Sequence, residues 1–182
     1  MTESLDATAN LIRDWAHELG FQAVGITDTQ LEETGQRLNQ WLDRGAERRS
    51  RLHGTARREA LQAGTTGGRH RTDHRSAAGL PPGPGRPAVL GDDEKAYITR
   101  YSLGRDYHKL MRKRLAKLAK WIDEALPGYY HRAFVDSAPV MEKPIAVKAG
   151  LGWQGKHTLL LHPKAGSWVL PGRNLHQRPA AH

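Results

Sequence analysis

The chain has no cysteine among its 182 residues. That excludes disulfides, and it excludes any metal centre or iron–sulfur cluster held by this chain's own thiolates. No run of eighteen apolar residues occurs, so no helix able to span a bilayer is expected. Asp6, Asp14 and Glu18 interrupt the opening residues, which leaves no charged-then-apolar export signal and makes the cytoplasm the expected compartment. Aromatic residues are missing between Trp41 and Tyr97, and isoleucine between Ile26 and Ile98. Ten histidines are present, yet no HExxH or comparable pair occurs, so no metal site is expected.

What is present is charge, unevenly spread. The net charge is +9. Residues 1–45 hold 3 basic against 8 acidic side chains, residues 46–89 hold 9 against 3, and residues 90–182 hold 16 against 8. A basic balance of this size invites a nucleic-acid partner. No RRM, KH or zinc-finger pattern accompanies it.

Apolar spacing marks out the elements. Leu5, Ile12, Trp15, Ala16 and Leu19 predict an amphipathic helix that stops at Gly20. Phe21 to Ile26 reads as a short strand. A second helix is expected over about 30–44, with Leu31, Leu38, Trp41 and Leu42 inward and Gly45 closing it. Residues 97–101 read as extended. A long helix over 104–126 sets Met111, Leu115, Leu118, Ile122 and Leu126 on one face. Its other face carries Lys109, Arg112, Lys113, Lys117 and Lys120, either as a solvated face or as a set of phosphate contacts. Residues 129–135 form the next strand, and Pro139 can start a short helix running to Ala149. Residues 158–161 and 167–170 are expected to pair as a hairpin. The fold class is α+β, a sheet flanked by helices.

The chemistry gathers between residues 129 and 162. A strand-like run ends in Asp136. A glycine-rich loop follows, GLGWQGKH over residues 150–157. A strand-end acid facing such a loop can build a pocket for a large cofactor, although a strand-end acid also serves as a helix cap. The loop itself also reads as a tight turn with a satisfied histidine. Its GxxxxGK spacing is not a phosphate loop, because His157 stands where Ser or Thr must meet magnesium. Arg100, Tyr101, Asp106, Tyr107 and His108 form a second cluster, readable as a site or as first-turn packing and capping.

Three words in order carry a resemblance: AYITRYSLGRDYH at residues 96–108, FVDSAP at 134–139 and KAGLGWQGKHTLL at 148–160. With LGFQAVGI at 19–26, they resemble the epoxyqueuosine reductase family over roughly residues 5–45 and 90–170. The resemblance implies a cobalamin-binding domain acting on tRNA, with Asp136 as the proton donor to the epoxide oxygen. It implies that Arg100, Tyr101, Lys143, Trp153, Gly155, Lys156 and His157 line the cofactor site. It also implies two [4Fe–4S] clusters on a carboxy-terminal ferredoxin-like domain, for which this chain has no ligands. The reading is thus of an amino-terminal fragment, monomeric and without membrane contact. Its alternatives are a non-catalytic cobalamin- or tRNA-binding module and a nonfunctional product of a damaged gene.

Residues 46–89 fall outside that resemblance. They are mostly Arg, Gly, Ala, Thr and Pro without an apolar period, and read as disordered. Advancing the codons of residues 72–82 by one nucleotide permits PIIVLRLDYLP, a buried-strand pattern of the family's kind. The same shift turns residues 172–180 into GEIFTSAPL. The expectation is a frameshift in both stretches, 46–89 and 171–182, flanking an in-frame cobalamin-binding part at 90–170. A sheet one buried strand short would follow.

Overall fold

A computed structural model describes residues 2–45, 71–79, 91–94, 96, 98, 102, 106–128, 130–135 and 141–177. Helix α1 (Thr2–Glu18) buries Ile12 and Ala16 and half-buries Trp15 and Leu19, the stripe its spacing predicts. Strand β1 (Ala23–Thr27) and helix α2 (Glu32–Asp43) follow. Leu42 of α2 is buried, but Trp41, expected inward, is 43% exposed. The helix is short and meets its neighbours along a narrow edge, so a neighbouring position one residue away already faces solvent.

Helix α3 (Tyr107–Ala125) is the long amphipathic one, and Met111, Leu115, Leu118 and Ile122 are buried as their period requires. Asp106 caps it, its carboxylate accepting from the His108 amide at 2.9 Å. Strand β3 (Tyr130–Phe134) returns antiparallel to α3, and helix α4 (Glu142–Lys148) leads into the glycine loop.

The sheet departs from the sequence reading. Its strand order is β1, β2 (Arg71–Gly79), β6 (Val169–Gln177), β3, antiparallel throughout, and the two interior strands lie wholly or mostly in the stretches that read as anomalous. Strand β2 (Arg71–Gly79) pairs Ala23 with Ala77 on one side and Val169 with Gly79 on the other. Strand β6 (Val169–Gln177) pairs with β2 along its whole length and with β3 from Arg173 to Gln177. The sheet is therefore not one strand short, and residues 71–79 and 171–177 are ordered into it. Ladder hydrogen bonds are made by backbone groups that every residue but proline offers in full, so a polar sequence can fill an interior place. Residues 46–70, 80–89 and 178–182, also assigned to the anomalous stretches, lie outside the described residues. So does the extended segment at 97–101, apart from Ile98.

Side chains sort by strand alternation. Val24 and Ile26 face the main core, where α1 and α3 pack with Phe21 and Val135. Gly172 lies under α3, where a β-carbon would come within 2.5 Å of Met111 Cε. Asn174 shares this face, and its amide nitrogen donates to the Leu115 carbonyl at 2.9 Å. Arg173, its neighbour, is fully buried. The opposite face holds a smaller cluster of Ala146, Leu151 and Leu160, against which Ala23, Ala149 and Val169 pack.

The expected pairing of 158–161 with 167–170 does not form. Strand β5 (Leu160–Leu161) pairs instead with β4 (Trp153–Gln154). His162 and Gly166 exchange both backbone bonds at 2.9 Å, and the His162 ring accepts the Lys164 and Ala165 amides. That closes a tight loop, after which the chain enters the main sheet.

Gly25 is the point where the two layers touch most closely. A β-carbon there would lie 2.1 Å from the Ala149 carbonyl oxygen, an atom of the backbone. Gly25→Ala is expected to cost about 1–3 kcal/mol or more, because backbone must shift to admit it. Urea unfolding checks this; an unchanged midpoint would show that α4 does not seat on β1.

Candidate functional site

The glycine loop is built outward from the end of α4. Gly150 has φ 75°, and the Leu151 amide bonds to the Ala146 carbonyl at 3.0 Å while the Gly150 amide bonds to Val147 at 2.9 Å. This is a Schellman closure, which needs the left-handed residue that glycine supplies without strain. Its hydrophobic contact is Leu151, buried beside Ala146. The helix end is thereby turned back onto the sheet, and β4 and β5 project from it.

On that projection Trp153 is 52% exposed, and Lys156 and His157 are exposed at the tip. The His157 ring lies over Gly155, where a β-carbon would meet its Cε1 at 2.5 Å. Its Nδ1 accepts from the Leu159 amide at 3.4 Å. The reading of a turn with a satisfied histidine is thus met at Nδ1, while among the described residues Nε2 is left for another partner. No Asp or Glu occurs from residue 143 to the last residue, so the loop's field is cationic. Lys143 lies half-buried in the first turn of α4.

A contact that the sequence reading did not single out holds this loop in place. The Lys148 ammonium donates to Asp28 and, at 2.7 Å, to the Gln30 carbonyl. It ties the last turn of α4 to the segment leaving β1. An acid just past a strand end and a lysine in the last turn of a short helix were the available signals. Burial alone would raise the Asp28 carboxyl; the Lys148 hydrogen bond and charge, with the Gln30 amide, outweigh it and hold it below the usual carboxylate value.

In the second cluster, Asp106, Tyr107 and His108 make first-turn capping and packing contacts. Asp106 accepts from both the amide and the ring Nδ1 of His108, at 2.9 and 3.0 Å, and Tyr107 stacks on His108 with ring centroids 3.9 Å apart. Burial works against the Asp106 charge, but the His108 hydrogen bonds win and lower its pKa. Arg100, Tyr101 and Asp136 lie outside the described residues.

Among the described residues, Tyr107–His108, Phe134–Val135 and Leu160 of the three motif segments lie toward one end of the sheet, while Lys148, which opens the third, is held at Asp28 past the other end of β1. Strand β3 finishes at Phe134, with buried Val135 next, on the end where β6 begins. Leu160 of the projecting hairpin clusters with Ala23 and Val169, which lie at that same end. Helix α3 runs antiparallel to β3, so Tyr107 and His108 in its first turn are there too.

The Asp28–Lys148 pair yields a pH prediction. A carboxyl with a depressed folded pKa adds stability that is fully present above its unfolded value, about 3.9, and is lost as pH falls through the folded value. Both side chains are partly exposed, so Asp28→Asn is expected to cost at most about 1 kcal/mol at pH 7. Urea midpoints of variant and parent should converge below the folded pKa; a gap that persists there would assign the loss to packing.

The family model described as "Epoxyqueuosine reductase QueG, DUF1730" matches residues 75–137. The epoxyqueuosine reductase of Aliivibrio fischeri is 47% identical over 178 residues, covering 92% of this chain and 45% of that protein. The match therefore runs through residues 46–89, which the motif words had left outside the resemblance. The chain spans about half the length of the curated relatives it matches. Among solved structures, a selenomethionine-labelled epoxyqueuosine reductase superposes with a TM-score of 0.75 at 17% identity, over 95% of this chain and 48% of that one. An epoxyqueuosine reductase solved with an epoxyqueuosine-modified tRNA-Tyr stem loop gives 0.70 at 18%, over 95% and 46%. At those identities the superpositions speak for the fold, and the fold agrees. With the motif words, the 47% relative and the shared architecture in one direction, the chain belongs to the epoxyqueuosine reductase family and corresponds to part of its members' length.

Proposed function

We propose that this chain is the cobalamin-gripping part of a cytoplasmic tRNA epoxyqueuosine reductase. The observation that supports this best is that Tyr107, Phe134 and Leu160, one described residue from each motif segment, lie toward one end of the sheet. The projecting hairpin fits the periphery of a large flat cofactor. Trp153 offers an indole face, and Lys156 and the free His157 nitrogen offer donors to carboxamide or phosphate oxygens. Lys143, Arg100 and Tyr101 complete the set by family position. When bound, cobalamin supplies the reducing power at the substrate. Asp136, which follows buried Val135, holds the proton that the departing epoxide oxygen takes; its acidity near neutral pH calls for an apolar neighbour such as the corrin ring.

Two [4Fe–4S] clusters do not fit this chain, which has none of the cysteines they require. Such clusters would be held by residues outside these 182 or by another protein. The same reading takes residues 46–89 and 171–182 to be out of frame. It is supported by the identity of the interior strands: β2 contains Arg71, Asp73, His74 and Arg75, and β6 buries Arg173 and Asn174. The shifted words PIIVLRLDYLP and GEIFTSAPL cover those same two strands.

Titration of the purified chain with hydroxocobalamin, followed by absorption, tests the site. Saturable spectral change is expected. Trp153→Ala should weaken binding roughly tenfold, and Asp136→Asn should leave it within about twofold, since its role is proton transfer. No binding by the parent chain would sink the proposal. Resequencing codons 40–95 and 165–182 tests the frame: codons that cannot spell the shifted words would end that part.

A further inference from the structure

The outer face of α3 has the character of a docking surface. Positions 107–122 hold Lys109, Arg112, Lys113, Arg114, Lys117 and Lys120 and no acid. Five of these cations are exposed; Arg114 turns inward, donating to the Gly20 carbonyl at 3.5 Å. The exposed five lie opposite the buried row of Met111, Leu115, Leu118 and Ile122, so they form one stripe. From Lys109 to Lys120 it extends about 16 Å at the helical rise.

Ordinary solvated helix faces intersperse both signs and pair them at i,i+4. Here that pairing is confined to the carboxy-terminal part. Lys120 lies 3.8 Å from Glu124, and the Lys117 ammonium sits over the Trp121 ring at 4.6 Å. Lys109 and Lys113, one turn apart, have no ion-pair partner among the described residues. They belong to the half of α3 nearest its first turn, at the end of the sheet where Phe134 and Leu160 lie. Lys109 and Lys113, like charges one turn apart, repel each other, and an extended polyanion relieves this by contacting both at once.

We propose that the α3 stripe, led by Lys109 and Lys113, contacts the sugar–phosphate backbone of the RNA whose base enters the adjoining site. This rests on the reading of the chain as part of a tRNA-modifying enzyme. Lysines of this kind position an RNA without reading its sequence, leaving base selection to the site itself.

The test measures binding of an unmodified tRNA anticodon stem-loop by fluorescence anisotropy across a salt series. Lys109→Glu/Lys113→Glu is compared with Arg37→Glu/Arg44→Glu, an equal charge change at two exposed positions, Arg37 of α2, which pairs with Glu33, and Arg44 just past its end. The α3 variant should weaken binding at least about tenfold and lower the slope of log K against log salt by about 1–2. The α2 variant should stay within about twofold. Equal losses in both variants would mean a response to net charge alone, and would overturn the stripe. An α3 variant that binds like the parent, or a parent that does not bind the stem-loop, would overturn it as well. Circular dichroism and thermal melting confirm that the exposed substitutions leave the fold intact. The hydroxocobalamin titration is independent of this readout, so a failed cofactor site and a failed RNA surface are separable.

Discussion

Everything in this fold hangs on β6 being hydrogen-bonded along both of its edges. It pairs with β2 from Val169 to Gln177 and with β3 from Arg173 to Gln177, so it joins the amino-terminal half of the chain to the carboxy-terminal half. Its first residue is also where the hairpin of β4 and β5 reaches the sheet, through Val169. The small cluster beneath the glycine loop, the approach of Ala149 to Gly25 and the Lys148 clamp all presuppose that β6 is in place. Backbone pairing provides this order while the side chains oppose it. Arg173 is buried at full charge-bearing size, and Asn174 spends its amide on Leu115 while its Oδ1 finds no hydrogen bond among the described residues. Each such group carries a desolvation cost that an apolar strand would not.

That opposition explains which parts were legible. α1, α3 and their buried rows follow from spacing, because Ile12, Ala16, Met111, Leu115, Leu118 and Ile122 are apolar at helical intervals and the protein has one core to put them in. The glycine stops at Gly20 and Gly150 were legible for the same reason, since a left-handed closure demands glycine. β2 was not legible, because RTDHRSAAG has no strand period and nothing local predicts an interior place for it. The pairing of β5 with β4 rather than with 167–170 turned on His162, whose ring closes a loop that apolar patterning does not register.

The site was legible as a set of words more than as a geometry. GLGWQGKH reads both as a cofactor loop and as a turn with a satisfied histidine, and one ring nitrogen of His157 serves the turn while the other has no partner among the described residues. Asp106 and His108 went to capping, a use that their position just before an amphipathic run anticipates. Asp28 and Lys148 escaped notice because their partnership spans 120 positions, and no local rule links a strand-end acid to a distant helix end.

α3 ties these levels together. Its inner row forms the main core, its first turn reaches the end of the sheet where Phe134 and Leu160 lie, and its outer row carries cations with no acid among them. A helix fixed by Met111, Leu115 and Leu118 against β6 is rigid, so the stripe keeps a constant position relative to the glycine loop. Rigid spacing is what backbone contacts need if they are to present one nucleotide to a site without reading the others. The loop, in turn, carries cations and bears no acid of its own. Fold and field therefore meet on α3: the packing that orders the helix also aims its charge.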